Sequence, residues 1–405
     1  MPSLRRVLAT CGNGAMGRLG HGLDCASQSL PRIVGSLVGS DVKAVACGGA
    51  HTVVLTDDGS VLTFGANSQG QLGHSEKDKF IPVPLEVGLP DSAVAVAAGE
   101  QHTLCLTKGG EVWAWGSNAS GQLGIGPTDK ARVPEPRLVK TLTGVGVEEL
   151  AAGSEHSLAR STSGQLWSWG TSAQGALGQG GPGEQVCQPQ RVRGRLEGCR
   201  VLRMAAGPFC SGAVDDAGRA WTWGHGIYWQ LGHGTADNEA SPRQVAALSN
   251  MASLALGQMS GWGVTRDGRS LCWGCDDMGS LGQGEGQWQH APIKLPKEHP
   301  HLPRVKAVSV GWKHTCAISS DGRAFTWGWA GATYSGHDGG GGQLGLGDGR
   351  DKWAPSQVLR LHTNAQRFYD LRMSYVKPWK VLQISAGRNH TAMVIQTELD
   401  MRDVA

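Results

Sequence analysis

A chain of 405 residues with 62 glycines, about twice the usual share of roughly 7%, and only 18% charged residues is composed like one large repetitive domain or a few ordinary ones, not like a disordered tail. Lys plus Arg (37) barely exceeds Asp plus Glu (34), which argues against direct nucleic-acid binding, and no apolar stretch approaches the roughly 18 residues that span a bilayer. Ten irregularly spaced cysteines, and a start from Met1 to Leu8 without the apolar core of a secretion signal, lead to the expectation of free thiols in the cytoplasm or nucleus.

Along the chain the local signals are all β. Arg6 to Thr10 reads as a strand, Gly17-Arg-Leu-Gly20 as a tight turn and Pro31 to Leu37 as another strand. Val42 to Cys47 alternates, Thr52 to Thr56 is apolar and β-branched, Asp57-Asp58-Gly59 is a hairpin turn, and Val61 to Phe64 is a third strand. A polar, proline-bearing stretch then suits an outer edge strand. This pattern repeats. Gly-Gln-Leu-Gly, or a drifted form of it, starts at Gly17, Gly70, Gly121, Gly175, Trp229, Gly279 and Gly342. Gly-x-x-His-Thr, or its drifted form, starts at Gly48, Gly99, Gly153, Gly207, Gly257, Gly311 and Gly387.

Four short antiparallel strands every 50-odd residues predict an all-β, seven-bladed propeller. The units run at about 42–91, 92–146, 147–198, 199–249, 250–302 and 303–360, with 380–397 plus 6–38 as the seventh. The last unit has two clear strands of its own, so the N-terminal strands are expected to complete it and close the ring of this single domain. Trp113/Trp115, Trp167/Trp169 and Trp221/Trp223 are two apart on a strand, which puts each pair on one face to fill the wedge between blades.

The pairing of Gly-x-x-His-Thr with Trp-Gly-x-Asn-x-x-Gly-Gln-Leu-Gly, as at Trp115 to Gly124, resembles the regulator of chromosome condensation superfamily over essentially the whole chain. The resemblance implies a seven-bladed propeller. The superfamily includes an exchange factor for the small GTPase Ran, a plant UV-B photoreceptor and a secreted bacterial β-lactamase inhibitor, so fold membership leaves function open.

In such a blade the Gly-x-x-His and Gly-Gln-Leu-Gly loops crowd one face, while the Asp-Gly turns and linkers occupy the other. The variable residues of the first loop read Gly49-Ala50, Glu100-Gln101, Ser154-Glu155, Pro208-Phe209, Gln258-Met259, Trp312-Lys313 and Arg388-Asn389. This predicts an acidic sector (Glu100, Glu155), an apolar one (Phe209, Met259) and a basic one (Lys313, Arg388) for docking a protein partner, with Gln101, Trp312 and Asn389 beside them. Residues 329–341 form a glycine-rich insertion on that face. Residues 361–379 form a linker insertion on the other, where Phe368, Leu371 and Tyr375 fit a short amphipathic helix.

Apparent catalytic motifs dissolve in register. Gly12-Asn-Gly-Ala-Met-Gly17 aligns with Gly116 to Gly121 and precedes no helix, so it predicts no phosphate site. Cys272-Trp-Gly-Cys275 lacks a second cysteine pair, and the recurring His51, His102, His156, His314 and His390 are spread around a ring, so no metal is expected. Those histidines are expected to bond the loop backbone, and His299 and His301 to lie in a solvated linker. The reading is a monomeric, non-catalytic interaction module without cofactor. Exchange on a Ran-like small GTPase is the alternative; UV-B reception fits less well, because only Gly311-Trp-Lys-His-Thr315 approaches that receptor's repeated motif and it carries lysine for arginine.

Overall fold

In six of the seven repeats the second strand is buried at every residue, as in His51–Thr56, His102–Thr107 and His314–Ser319. Such a strand is hydrogen-bonded on both edges and covered on both faces by neighbouring blades, so its sequence is a continuous apolar and β-branched run without alternation. The computed structural model describes residues 4–23, 27–74, 78–181, 185–284, 291–331, 341–363, 368–373 and 378–398. Across them the strands assemble into seven sheets; six are four-stranded, antiparallel and in chain order, and the seventh joins strands from both ends of the chain. Blade one, for example, is Val42–Cys47, His51–Thr56, Val61–Ala66 and Phe80–Glu86. The fold is the expected seven-bladed β-propeller.

Blade seven closes the ring as predicted. Lys380–Ala386 and His390–Thr397 come from the C-terminal end of the chain; Arg5–Asn13 and Ser27–Ile33 come from the N-terminal end. Arg5–Asn13 pairs with His390–Thr397 from Arg5 opposite Thr397 to Gly12 opposite His390. The innermost strands of this blade are also tied sideways. Gln383 accepts from Val45 N–H (2.9 Å) and donates to Val45 O (3.1 Å), and Ser385 accepts from Cys47 N–H (2.9 Å). On the other side Ser309 accepts from Ala386 N–H (3.0 Å). These polar side chains satisfy inner-edge amides that the blade's own sheet leaves open.

The described residues of the second insertion form strands where a helix was expected. Arg360–His362 and Phe368–Asp370 form a short hairpin that adds to the outer edge of blade seven, with His362 parallel to Arg32. The outer strand Ser27–Ile33 offers unpaired backbone groups there, and pairing satisfies them where a free helix would not. Leu361 is buried, and Tyr369 and Leu371 pack on the same core as Val358 and Trp379. Tyr375 and most of the glycine-rich insertion lie outside the described residues.

Removing residues 1–37 strips blade seven of two strands and leaves His390–Thr397 as a bare edge. The truncated protein is expected to lose its cooperative melting transition and to aggregate. Melting like the full chain, followed by circular dichroism, contradicts this closure.

Candidate functional site

Both loop motifs meet at one atom per blade junction. The main-chain carbonyl at the Gln position of each Gly-Gln-Leu-Gly loop points at the next blade. Gln71 O accepts from the Thr103 hydroxyl (2.8 Å) and from the Trp115 indole (3.0 Å). Gln122 O accepts from Ser157 (2.7 Å) and Trp169 (2.8 Å), Ala176 O from Ser211 (2.8 Å) and Trp223 (2.9 Å), and Ser280 O from Thr315 (2.8 Å) and Trp327 (2.9 Å). A carbonyl has two lone pairs, and both are used. Those tryptophans are fully buried between blades, while Trp113 and Trp167, two residues earlier on their strands, are half-buried rather than filling the wedge.

The histidines complete the link. His51 Nε2 lies 3.1 Å from the Thr103 hydroxyl, His102 3.0 Å from Ser157, His156 2.9 Å from Ser211, His314 2.9 Å from Thr391 and His390 3.1 Å from Thr52. Each hydroxyl gives its hydrogen to the carbonyl, so Nε2–H is the donor to it, and burial keeps the imidazole neutral. Each ring lies over the glycine that opens its own motif: a Cβ on Gly48 would sit 2.2 Å from His51 Cε1. The expectation that these histidines bond loop backbone directly is therefore corrected; they reach it through a hydroxyl of the next blade. Burial holds His51, His156 and His314 down to about 4 and His102 to about 3.

Four junctions depart from this rule: Gln343 O takes the Thr391 hydroxyl (2.7 Å) and Arg18 O the Thr52 hydroxyl (2.9 Å), with Cys11 and Phe64 standing in place of the tryptophan, and the other two lack the histidine. Cys210 and Ser260 replace the histidine, and Gly261 replaces the threonine, leaving Gln230 O with only the Trp273 indole (2.7 Å). His299, expected in a solvated linker, is buried instead. It takes the place of Val87, Val139, Val192, Val245 and Val358, since all six donate backbone N–H to the start of their blade's third strand. Its ring packs on Trp262 and Trp327, and Nε2 meets Leu281 O and Gly282 O at 3.1 Å each.

Above this scaffold the variable loop residues surround a cavity of about 590 Å³ on the propeller axis. Glu100, Gln101, Glu155, Phe209, Trp312 and Arg388 line it; Met259, Lys313 and Asn389 do not. Trp312 is held between two cations, with Lys313 4.9 Å and Arg388 4.7 Å from its ring centroid, and stands edge-on to Trp329 at 6.0 Å. The expected separation of acidic and basic sectors is corrected. Arg388 reaches Glu100 at 3.1 Å, because blade one between them contributes only Gly49 and Ala50, and Lys313 pairs with Asp277 at 3.6 Å. Glu155 accepts from the Ser120 hydroxyl (3.0 Å).

Sequence reading missed a group on blade four. His225 stands edge-on to Phe209 (6.2 Å) and to Tyr228 (5.7 Å), beside exposed Ile227 and half-buried Trp229. The available signal was the drift of this loop to Gly224-His-Gly-Ile-Tyr-Trp-Gln-Leu-Gly232.

With this geometry the chain belongs to the RCC1-like domain family, which it matches over residues 7–393. It is 31% identical over 376 residues to the ultraviolet-B receptor UVR8 of Arabidopsis thaliana, covering 92% of this chain and 82% of that one. It is 28% identical over 408 residues to the regulator of chromosome condensation of Xenopus laevis, covering 96% and 89%. The crystal structure of Prp20p from Saccharomyces cerevisiae, whose study addresses binding to Gsp1p and histones, superposes with a TM-score of 0.82 at 21% identity, covering 98% of this chain and 93% of that one. No helix among the described residues is long and apolar enough to cross a membrane.

The buried imidazoles make stability depend on pH. Their pKa values are depressed from the model-peptide 6.5 to about 4, so the unfolded chain takes up protons first as pH falls. Stability is complete above about pH 6.5 and declines toward pH 4, by about 1.4 kcal/mol per pH unit for each imidazole. Urea melts at stepped pH should show this slope, and His102→Gln should flatten it by about one proton. An unchanged slope contradicts the assignment.

Proposed function

We propose that this protein is a non-catalytic interaction propeller that receives a protein partner on its Gly-x-x-His face. The observation that carries the reading is the contrast between the two layers of that face. Beneath, hydrogen bonds recur from blade to blade; above, side chains differ at every blade and surround an axial cavity. Glu100, Gln101, Glu155, Phe209, Met259, Trp312, Lys313, Arg388 and Asn389 are the proposed contact residues. Trp312 is suited to anchor a partner, since a tryptophan stiffened by two flanking cations loses little freedom on binding. The nine cysteines among the described residues are free thiols, in keeping with a reducing compartment such as cytoplasm or nucleus.

The alternative is exchange on a Ran-like small GTPase, supported by the likeness to the regulators of chromosome condensation. Blades three and four are plain four-stranded sheets, and the extra hairpin among the described residues belongs to blade seven. A nucleotide-displacing wedge on blade three or four would need residues beyond these strands.

Charge reversal of Lys313 and Arg388 together should slow association with a partner recovered by affinity purification, most clearly at low salt. Trp312→Ala should instead speed dissociation, with melting temperature kept. Lys108→Ala with Asp216→Ala, in hairpin turns of the opposite face, is the control. Binding lost in the control but intact in the reversal would put the working surface on the other side. The same preparation should neither accelerate nucleotide release from a Ran-like GTPase nor change its size-exclusion elution after UV-B exposure.

A further inference from the structure

Blade four breaks the pattern of its six companions on the Gly-x-x-His face. Six Gly-Gln-Leu-Gly loops open with a glycine at positive φ, such as Gly17 (φ 72°), Gly70 (φ 77°) and Gly279 (φ 75°). The glycine is needed because the loop rests on the next blade's outer strand: a Cβ on Gly17 would lie 2.3 Å from Pro82 Cα, and one on Gly70 2.5 Å from Pro134 Cα. Blade four puts Trp229 there at φ 57°, a left-handed conformation costly for a bulky residue. Lys294, the equivalent of Pro82 in blade five, lays its ammonium 5.5 Å from the indole centroid.

This strained loop carries Ile227 46% exposed, and Phe209 on the adjoining loop is 37% exposed. His225 joins Phe209 to Tyr228 edge-on, and the Gln230 amide fixes His225 by donating to Nδ1 (3.0 Å) while also reaching Gln258 O (3.2 Å). Single exposed apolar residues are ordinary, but here they form a patch on two loops locked to each other. The patch lies over the junction where the histidine–hydroxyl link is absent, so nothing in that link accounts for it.

Charge specifies what the patch would take. Glu155 is exposed on the loop next to Phe209, tied to it by the Ser154 N–H to Pro208 O bond (3.0 Å). Among the described residues no cation lies within ion-pairing distance of Glu155, unlike Glu100 with its Arg388. An apolar, aromatic floor beside the Glu155 carboxylate, which has no cationic partner among the described residues, is complementary to an apolar side chain flanked by a cation.

Resting on the partner-binding face proposed above, we infer that blade four is its anchor site, and that the occupant is a polypeptide segment presenting an apolar or aromatic side chain beside a lysine or arginine. The apolar side chain packs on Phe209, Ile227 and Tyr228. The cation pairs with Glu155.

The probe is a phage-displayed library of random linear peptides, panned on the intact chain. Enriched peptides should combine an apolar residue with a neighbouring Lys or Arg. For a synthetic copy, Phe209→Ala or Ile227→Ser should weaken binding roughly tenfold or more with melting temperature unchanged, both residues being surface-exposed. Glu155→Gln should weaken it less, by an amount that shrinks with added salt. Enrichment of acidic peptides, no enrichment, or binding that survives both Phe209→Ala and Ile227→Ser overturns the inference. Binding that survives them but is lost on reversal of Lys313 and Arg388 overturns the anchor while leaving the face intact. Binding lost only in the Lys108/Asp216 control overturns both.

Discussion

At most junctions the hydrogen bonds between blades converge on one main-chain oxygen. A carbonyl such as Gln71 O takes one hydrogen bond from a hydroxyl and one from an indole of the following blade, and the hydroxyl in turn takes one from the histidine of the carbonyl's own blade. Every partner is buried, so each bond stands in for one that water would otherwise supply, and removal of any member strands the others. Glycine, histidine, threonine, tryptophan and the turn glycines therefore recur together because they serve one atom.

This arrangement frees the surface above it. With the loops held by their glycine and histidine, the two intervening residues vary without cost to the blade contacts, and the ring can present Glu100, Phe209, Trp312 and Arg388 from four different blades around one cavity. Where the link is missing, between blades four and five, the surface is most unlike the rest. There an indole occupies a left-handed position and aromatic side chains face solvent. Function on this propeller is read from departures from the repeat more than from the repeat itself.

The propeller, its closure and the buried tryptophan wedge were legible in the sequence, because strand length, turn glycines and motif spacing are local properties repeated seven times. Contacts between blades were not. The histidine partners lie 52 to 77 residues away along the chain, or 338 for His390 across the closure, and only the closed ring brings Arg388 over Glu100 across a blade that carries glycine and alanine. His299 was misread for a related reason: its solvent-exposed neighbours suggest a linker, yet its register is that of a core valine. The stretch after Leu361 keeps helical spacing, but an unpaired sheet edge in space decided its conformation. Trp229 left a visible trace in the sequence, though only the positive φ of its six counterparts shows what that trace means.

The claim that the bonds of such a junction converge on one oxygen is tested most directly by Thr103→Val, which keeps the shape of the side chain and removes the hydroxyl. Native-state hydrogen exchange should then quicken selectively along His51–Thr56 and His102–Thr107, on either side of that junction, with distant blades unchanged and global stability lowered by about 1–3 kcal/mol. Exchange and stability equal to those of the unaltered protein would contradict the account.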